Sequence, residues 1–121
     1  MKALLLVAHG SRKQSSNEEV ETLSLKIKQL LTSEFEIAEC GFLELAQPLI
    51  PEAIDRCVAL GATEIIVVPY FLSAGRHVVQ DVPEEVEKGQ KNNPDTLIRI
   101  SNYLGARDEI ANLLIKSAIE A

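Results

Sequence analysis

Runs in which nearly every residue is apolar alternate with runs in which apolar residues recur every three or four positions, and the alternation repeats four times. Continuous aliphatic runs are the pattern of strands covered on both faces, and the three-to-four spacing is that of helices showing one face to a core. Lys2 to Ala8 is the first strand. A loop from His9 to Ser15 leads to Ser16 and Glu19, which have capping-box spacing, and Val20, Leu23, Ile27, Leu30 and Leu31 form the apolar face of a helix to about Thr32. Phe35 to Leu43 is a second, less regular strand, interrupted by Glu36 and Glu39. Pro48 or Pro51 opens the next helix, which stops at Gly61. Glu64 to Leu72 is the third strand. Asp81-Val82-Pro83-Glu84 has the form of a capped helix start, and that helix is expected to end near Gly89, before the turn Asn92-Asn93-Pro94-Asp95. Thr96 to Tyr103 is the fourth strand, and after Leu104-Gly105 a last helix is predicted to turn Ile110, Leu113, Leu114, Ser117 and Ala118 toward the sheet.

Strand and helix in strict alternation point to parallel strands joined by right-handed crossovers, an α/β open doubly wound sheet of four strands with flanking helices. The flavodoxin-like order 2-1-3-4 is the first choice. In such sheets ligands bind beyond the carboxyl ends of the strands where strand order reverses, here between strands one and three. His9 follows strand one and His77 follows strand three, so this order brings together the chain's two histidines, 68 positions apart.

Composition narrows the field of functions. A chain of 121 residues, 46% hydrophobic and 25% charged, is expected to form a single globular domain over residues 1–121. The net charge of −6 argues against nucleic-acid binding, which requires a clustered basic face. No apolar run reaches the ~20 residues of a membrane span and Met1-Lys2 leads straight into a strand, so neither a membrane nor secretion is expected, and the location is read as cytoplasmic. Cys40 and Cys57 are too few and too far apart for a zinc knuckle or a dithiol motif; Cys57 shares a helical face with Ile50, Ile54 and Val58 and reads as a buried thiol.

The chemistry concentrates at strand ends. His9, Glu44 and His77 follow strands one, two and three, and two imidazoles with one carboxylate suit a late first-row divalent metal in an open site. Ser11, Arg12, Ser73, Gly75 and Arg76 surround the histidines in loops, with donors for carboxylates or phosphates and a glycine that lets backbone approach a ligand. Neither a Walker phosphate loop nor G-x-G-x-x-G is present, so no organic cofactor is expected.

Leu6-Val7-Ala8-His9-Gly10-Ser11-Arg12, Phe42-Leu43-Glu44 with Pro48, and Val68-Pro69-Tyr70-Phe71-Leu72 with Gly75, His77, Asp81 and Pro83 together resemble the sirohydrochlorin chelatases, the class II chelatases of cobalt and nickel tetrapyrrole synthesis. The resemblance covers essentially the whole chain. It implies a doubly wound α/β unit that inserts cobalt or nickel into sirohydrochlorin without ATP. It further implies a short-form homodimer with its cleft between subunits, and no internal repeat is found. Matched by motif, His9 and His77 correspond to the family's metal-handling histidines and Glu44 to their acidic partner. Ser11, Arg12, Ser73, Gly75 and Arg76 would then anchor substrate carboxylates. The chain departs from many members at Ala106-Arg107-Asp108, where those carry a histidine.

Three rival readings are weighed on the same residues. Leu6-Val7-Ala8-His9-Gly10 is similar to the opening of histidine phosphatases, but those place an arginine where this chain has Ala8. A non-enzymatic metal-carrying module would use the same histidines without accelerating insertion. A receiver-like module would need acidic residues where the first strand ends in Ala8-His9.

Overall fold

The computed structural model describes residues 1–121. It contains strands β1 (Lys2–Ala8), β2 (Ile37–Phe42), β3 (Glu64–Pro69) and β4 (Leu97–Ile100), and helices α1 (Gln14–Leu30), α2 (Ile50–Ala59), α3 (Val82–Asn92) and α4 (Glu109–Ile119). A π-helical turn, His77–Asp81, runs directly into α3, and a 3-10 turn, Leu104–Ala106, precedes α4. The sheet is parallel throughout, in the order β2-β1-β3-β4. This is the predicted open doubly wound arrangement, with β1 and β3 adjacent at the switch point.

The core lies mainly on one side of the sheet. Ala3, Leu5 and Val7 of β1 and Ile65 and Val67 of β3 are fully buried against Ile50, Ala53, Ile54 and Cys57 of α2 and Val82 of α3. Gly89 lets α3 approach α2 closely, because a Cβ there would lie 2.5 Å from Ile54 Cδ1. That packing role explains why α3 continues through Gly89 to Asn92 rather than stopping there. On the other side, the buried cluster beneath α1 is smaller, with Leu6, Ala8 and Phe42 under Val20, the helix's most buried apolar residue.

Several local expectations are corrected. Helix α1 starts at Gln14, without a Ser16–Glu19 capping box. The preceding loop is instead held by Asn17, whose Oδ1 accepts from the Ser11 N–H at 2.9 Å and whose Nδ2 donates to the Ser11 carbonyl at 2.8 Å. A buried amide making both bonds stabilises the loop more than an exposed cap would. Of the two prolines, Pro51 occupies the first turn of α2. Strands β2, β3 and β4 are each shorter than their apolar runs, since residues at those ends leave the ladder for the loops. Helix α4 departs furthest from expectation: none of its residues is buried, and Leu113, Leu114, Ile115 and Ile119 are all more than half exposed.

Candidate active site

The site is built where backbone pairing continues past the carboxyl ends of β1, β2 and β3. The Leu43 N–H donates to the Ala8 carbonyl, Glu44 N–H to His9 and Tyr70 N–H to Val7, so the segments leaving the three strands stay side by side. Gly10 makes the close approach possible. Its φ is +95°, and a Cβ would sit 1.7 Å from the Glu44 carbonyl oxygen, so no other residue fits without moving this loop. Just after Glu44, Leu45 is held at φ 66°, a left-handed conformation that costs roughly 1–2 kcal/mol in a non-glycine residue. The chain bears this strain at the bend that carries Glu44.

His9 Nε2 lies 2.7 Å from Glu44 Oε2. His77, the first residue of the π-helical turn, places Nδ1 2.8 Å from Asp81 Oδ2. The two imidazole rings face each other with centroids 4.3 Å apart and planes inclined by 33°. An ionised carboxylate can only accept, so Nε2 of His9 and Nδ1 of His77 carry the donated protons in these contacts. Each neutral ring then keeps its lone pair on the other nitrogen, Nδ1 in His9 and Nε2 in His77. A lone-pair imidazole nitrogen can ligate a metal or accept a proton.

Of the residues singled out from sequence, His9, Glu44 and His77 are brought together as two carboxylate-held imidazoles. They do not form a preformed cage: no group of three or more histidine, cysteine or acidic side chains is arranged to hold one ion. A single ion shared by the two rings would therefore retain open positions for an incoming ligand. The Ser11 hydroxyl accepts from the Lys13 N–H at 3.0 Å, at the entry to α1. Arg12, Ser73, Gly75 and Arg76 are all exposed on the neighbouring loops. Gly75 has open space where a Cβ would be, and its carbonyl accepts from the N–H groups of Val78 and Val79, each at 3.1 Å, which begins the π-helical turn.

Asp81 takes a role that sequence reading missed. It was expected to cap α3, yet its backbone is helical and it makes no capping bond. The four-residue spacing to His77 was the available signal. His77 borders a shallow depression of about 210 Å³ lined by Leu43, Glu44, His77, Asp81, Glu84 and Glu85. Five of these six side chains are titratable, and four are acidic, a setting favourable to an approaching cation.

Comparison with known proteins bears on this geometry. The CbiX family model matches residues 3–121. The sirohydrochlorin cobaltochelatase of Methanococcus aeolicus is 42% identical over 84 residues, 69% of this chain and 57% of that protein. The sirohydrochlorin cobaltochelatase of Sulfurisphaera tokodaii is 35% identical over 116 residues, 94% of this chain and 88% of that protein. The structure of the sirohydrochlorin chelatase SirB from Bacillus subtilis subspecies spizizenii in complex with cobalt is similar at TM-score 0.85 and 28% identity, covering 98% of this chain and 50% of that one. The matched part is thus little more than half the length of the Methanococcus relative and half that of the Bacillus protein. With a family model spanning nearly every residue, this chain belongs to the CbiX family.

Proposed function

We propose that this protein is an ATP-independent chelatase that inserts a divalent metal, cobalt in the first place and nickel as a second candidate, into sirohydrochlorin. The observation that carries the reading is the facing pair of imidazoles at 4.3 Å, each held through one nitrogen by a carboxylate. Insertion exchanges two pyrrole protons for one divalent ion. The lone-pair nitrogens of His9 and His77 supply the transient metal ligands and the first proton acceptors, and Glu44, already bonded to His9, can relay a proton outward. Ser11, Arg12, Ser73, Gly75 and Arg76 stand on the loops around this pair and are assigned to the substrate's carboxylates, which guanidinium forks and backbone donors bind well. The names of the relatives support a chelatase over a passive metal carrier or a phosphohistidine enzyme.

A depression of about 210 Å³ is small beside the ~300–1,000 Å³ of ordinary ligand pockets, and a macrocycle needs a second wall. We assign that wall to a second copy of the chain. Helix α4 displays Leu113 and Leu114 to solvent, and the α1 side of the sheet leaves Ile66 and Val68 only half-buried and Leu97 exposed. Two uncovered apolar faces on one chain can cover each other reciprocally in a two-fold dimer. No helix is long and apolar enough to cross a membrane.

The test is anaerobic absorbance spectroscopy of sirohydrochlorin with cobalt(II) or nickel(II), without protein, with the wild type and with His9→Ala. Wild type should accelerate insertion, and His9→Ala should lose about a hundredfold or more, down to the protein-free rate if that is reached first. Wild-type rates equal to the protein-free control with both metals would sink the chelatase reading.

A further inference from the structure

The two site histidines are held differently. His9 is pinned by a carboxylate 35 positions away on the neighbouring strand end, whereas His77 is pinned by Asp81 within its own turn. The second arrangement has a local cause. The Val82 N–H closes onto the His77 carbonyl, an i→i+5 bond that gives the turn its π-helical character and admits one extra residue before α3 begins. Such single π-helical turns are rare and gather at functional sites. Val82, next to Asp81, is fully buried in the core, so Asp81 stands on a fixed point. With no capping bond to make, its only side-chain hydrogen bond goes to His77 Nδ1, in a part-buried setting.

An imidazole without such a partner exchanges between its two neutral tautomers and rotates about its side-chain bonds. Only one tautomer offers Nε2 as a lone-pair ligand. We propose that Asp81 is a positioning residue, fixing His77 as the Nδ1–H tautomer so that Nε2 is held ready for the incoming divalent metal. This rests on the chelatase reading for its consequence, though not for its geometry. Carboxylates behind metal-binding histidines orient the ring and raise its strength as a ligand, and their removal typically costs 10–100-fold in metal affinity or activity.

The experiment compares wild type, Asp81→Ala, Asp81→Asn and His77→Ala in the full chain. The tautomer is read directly from imidazole 15N shifts in metal-free protein above neutral pH. His77 of the wild type should be the Nδ1–H form, and Asp81→Ala should show a mixture. Asp81→Asn, whose amide oxygen still accepts, should keep the wild-type form. Cobalt(II) titration and the insertion assay should then show ~10–100-fold loss in Asp81→Ala and a smaller loss in Asp81→Asn. Unchanged His77 shifts in Asp81→Ala would overturn the proposal. So would a mixed tautomer with full insertion rate in Asp81→Ala, if His77→Ala is impaired. Failure of the chelatase reading looks different: wild type would give no acceleration, while the 15N spectra and cobalt titration would still decide what Asp81 does to His77.

Discussion

The two faces of the sheet are made from the same strands and end in different states. On the α2/α3 face, Leu5, Val7, Ile65 and Val67 are fully buried and meet Ile54 and Val82. On the α1 face, alternation turns Ile66 and Val68 outward from that core, and they stay half-buried because α1 covers only the β1–β2 half. Helix α4 has the apolar residues to complete this face but is itself exposed. One face therefore holds the fold and places the strand ends that carry the histidines. The other leaves apolar surface uncovered, and it is the face that the proposed second copy would cover.

If that division holds, matched truncations on the two faces should have unequal effects. Ile54→Ala removes a fully buried side chain that also meets Gly89, and should cost about 2–5 kcal/mol in urea unfolding. Ile66→Ala should cost less, with a penalty that grows with protein concentration if a second copy covers this face. Equal, concentration-independent penalties would erase the distinction between the faces.

The association side can be broken separately. Leu113→Asp combined with Leu114→Asp places two charges on the exposed stripe of α4. Dimer affinity should fall by about a hundredfold or more, the scale of losing an interface hot spot. Sedimentation velocity should then show a folded monomer, with insertion falling in step; an unshifted dimer would move the interface away from α4.

A smaller effect belongs to the packed face. Burial pushes the Cys57 thiol up from its ordinary 9.0 to about 12, with Glu39 adding to the shift. Between those values the unfolded chain ionises this thiol and the folded chain does not. The unfolded state then binds fewer protons than the native one, so stability falls as pH rises from about 9 toward 12. The urea midpoint should drop on going from pH 8 to pH 10.5, and less so in Cys57→Ala. Equal drops in both proteins would show that the thiol is not protected by the core.

Much of this architecture follows from local pattern alone. The four apolar runs, the helical spacing between them and right-handed crossovers lead to β2-β1-β3-β4, and that order brings His9 to His77 because both follow strands at the switch point. Other features depended on competition among nearby groups. Asp81 had the spacing of a helix cap, but continuation of the π-helical turn into α3 removed the free helix end it would have capped, and its carboxylate turned to His77. Asn17 rather than Ser16 organised the start of α1 because it could become buried with both ends of its amide bonded. Which nitrogen of each histidine is held, and that Glu44 is the carboxylate holding His9, depends on side-chain contacts that no spacing rule specifies. Periodicity alone marks α4 as amphipathic; only the tertiary structure decides where its apolar face lies, since a helix stripe records that a surface will be covered without recording what covers it.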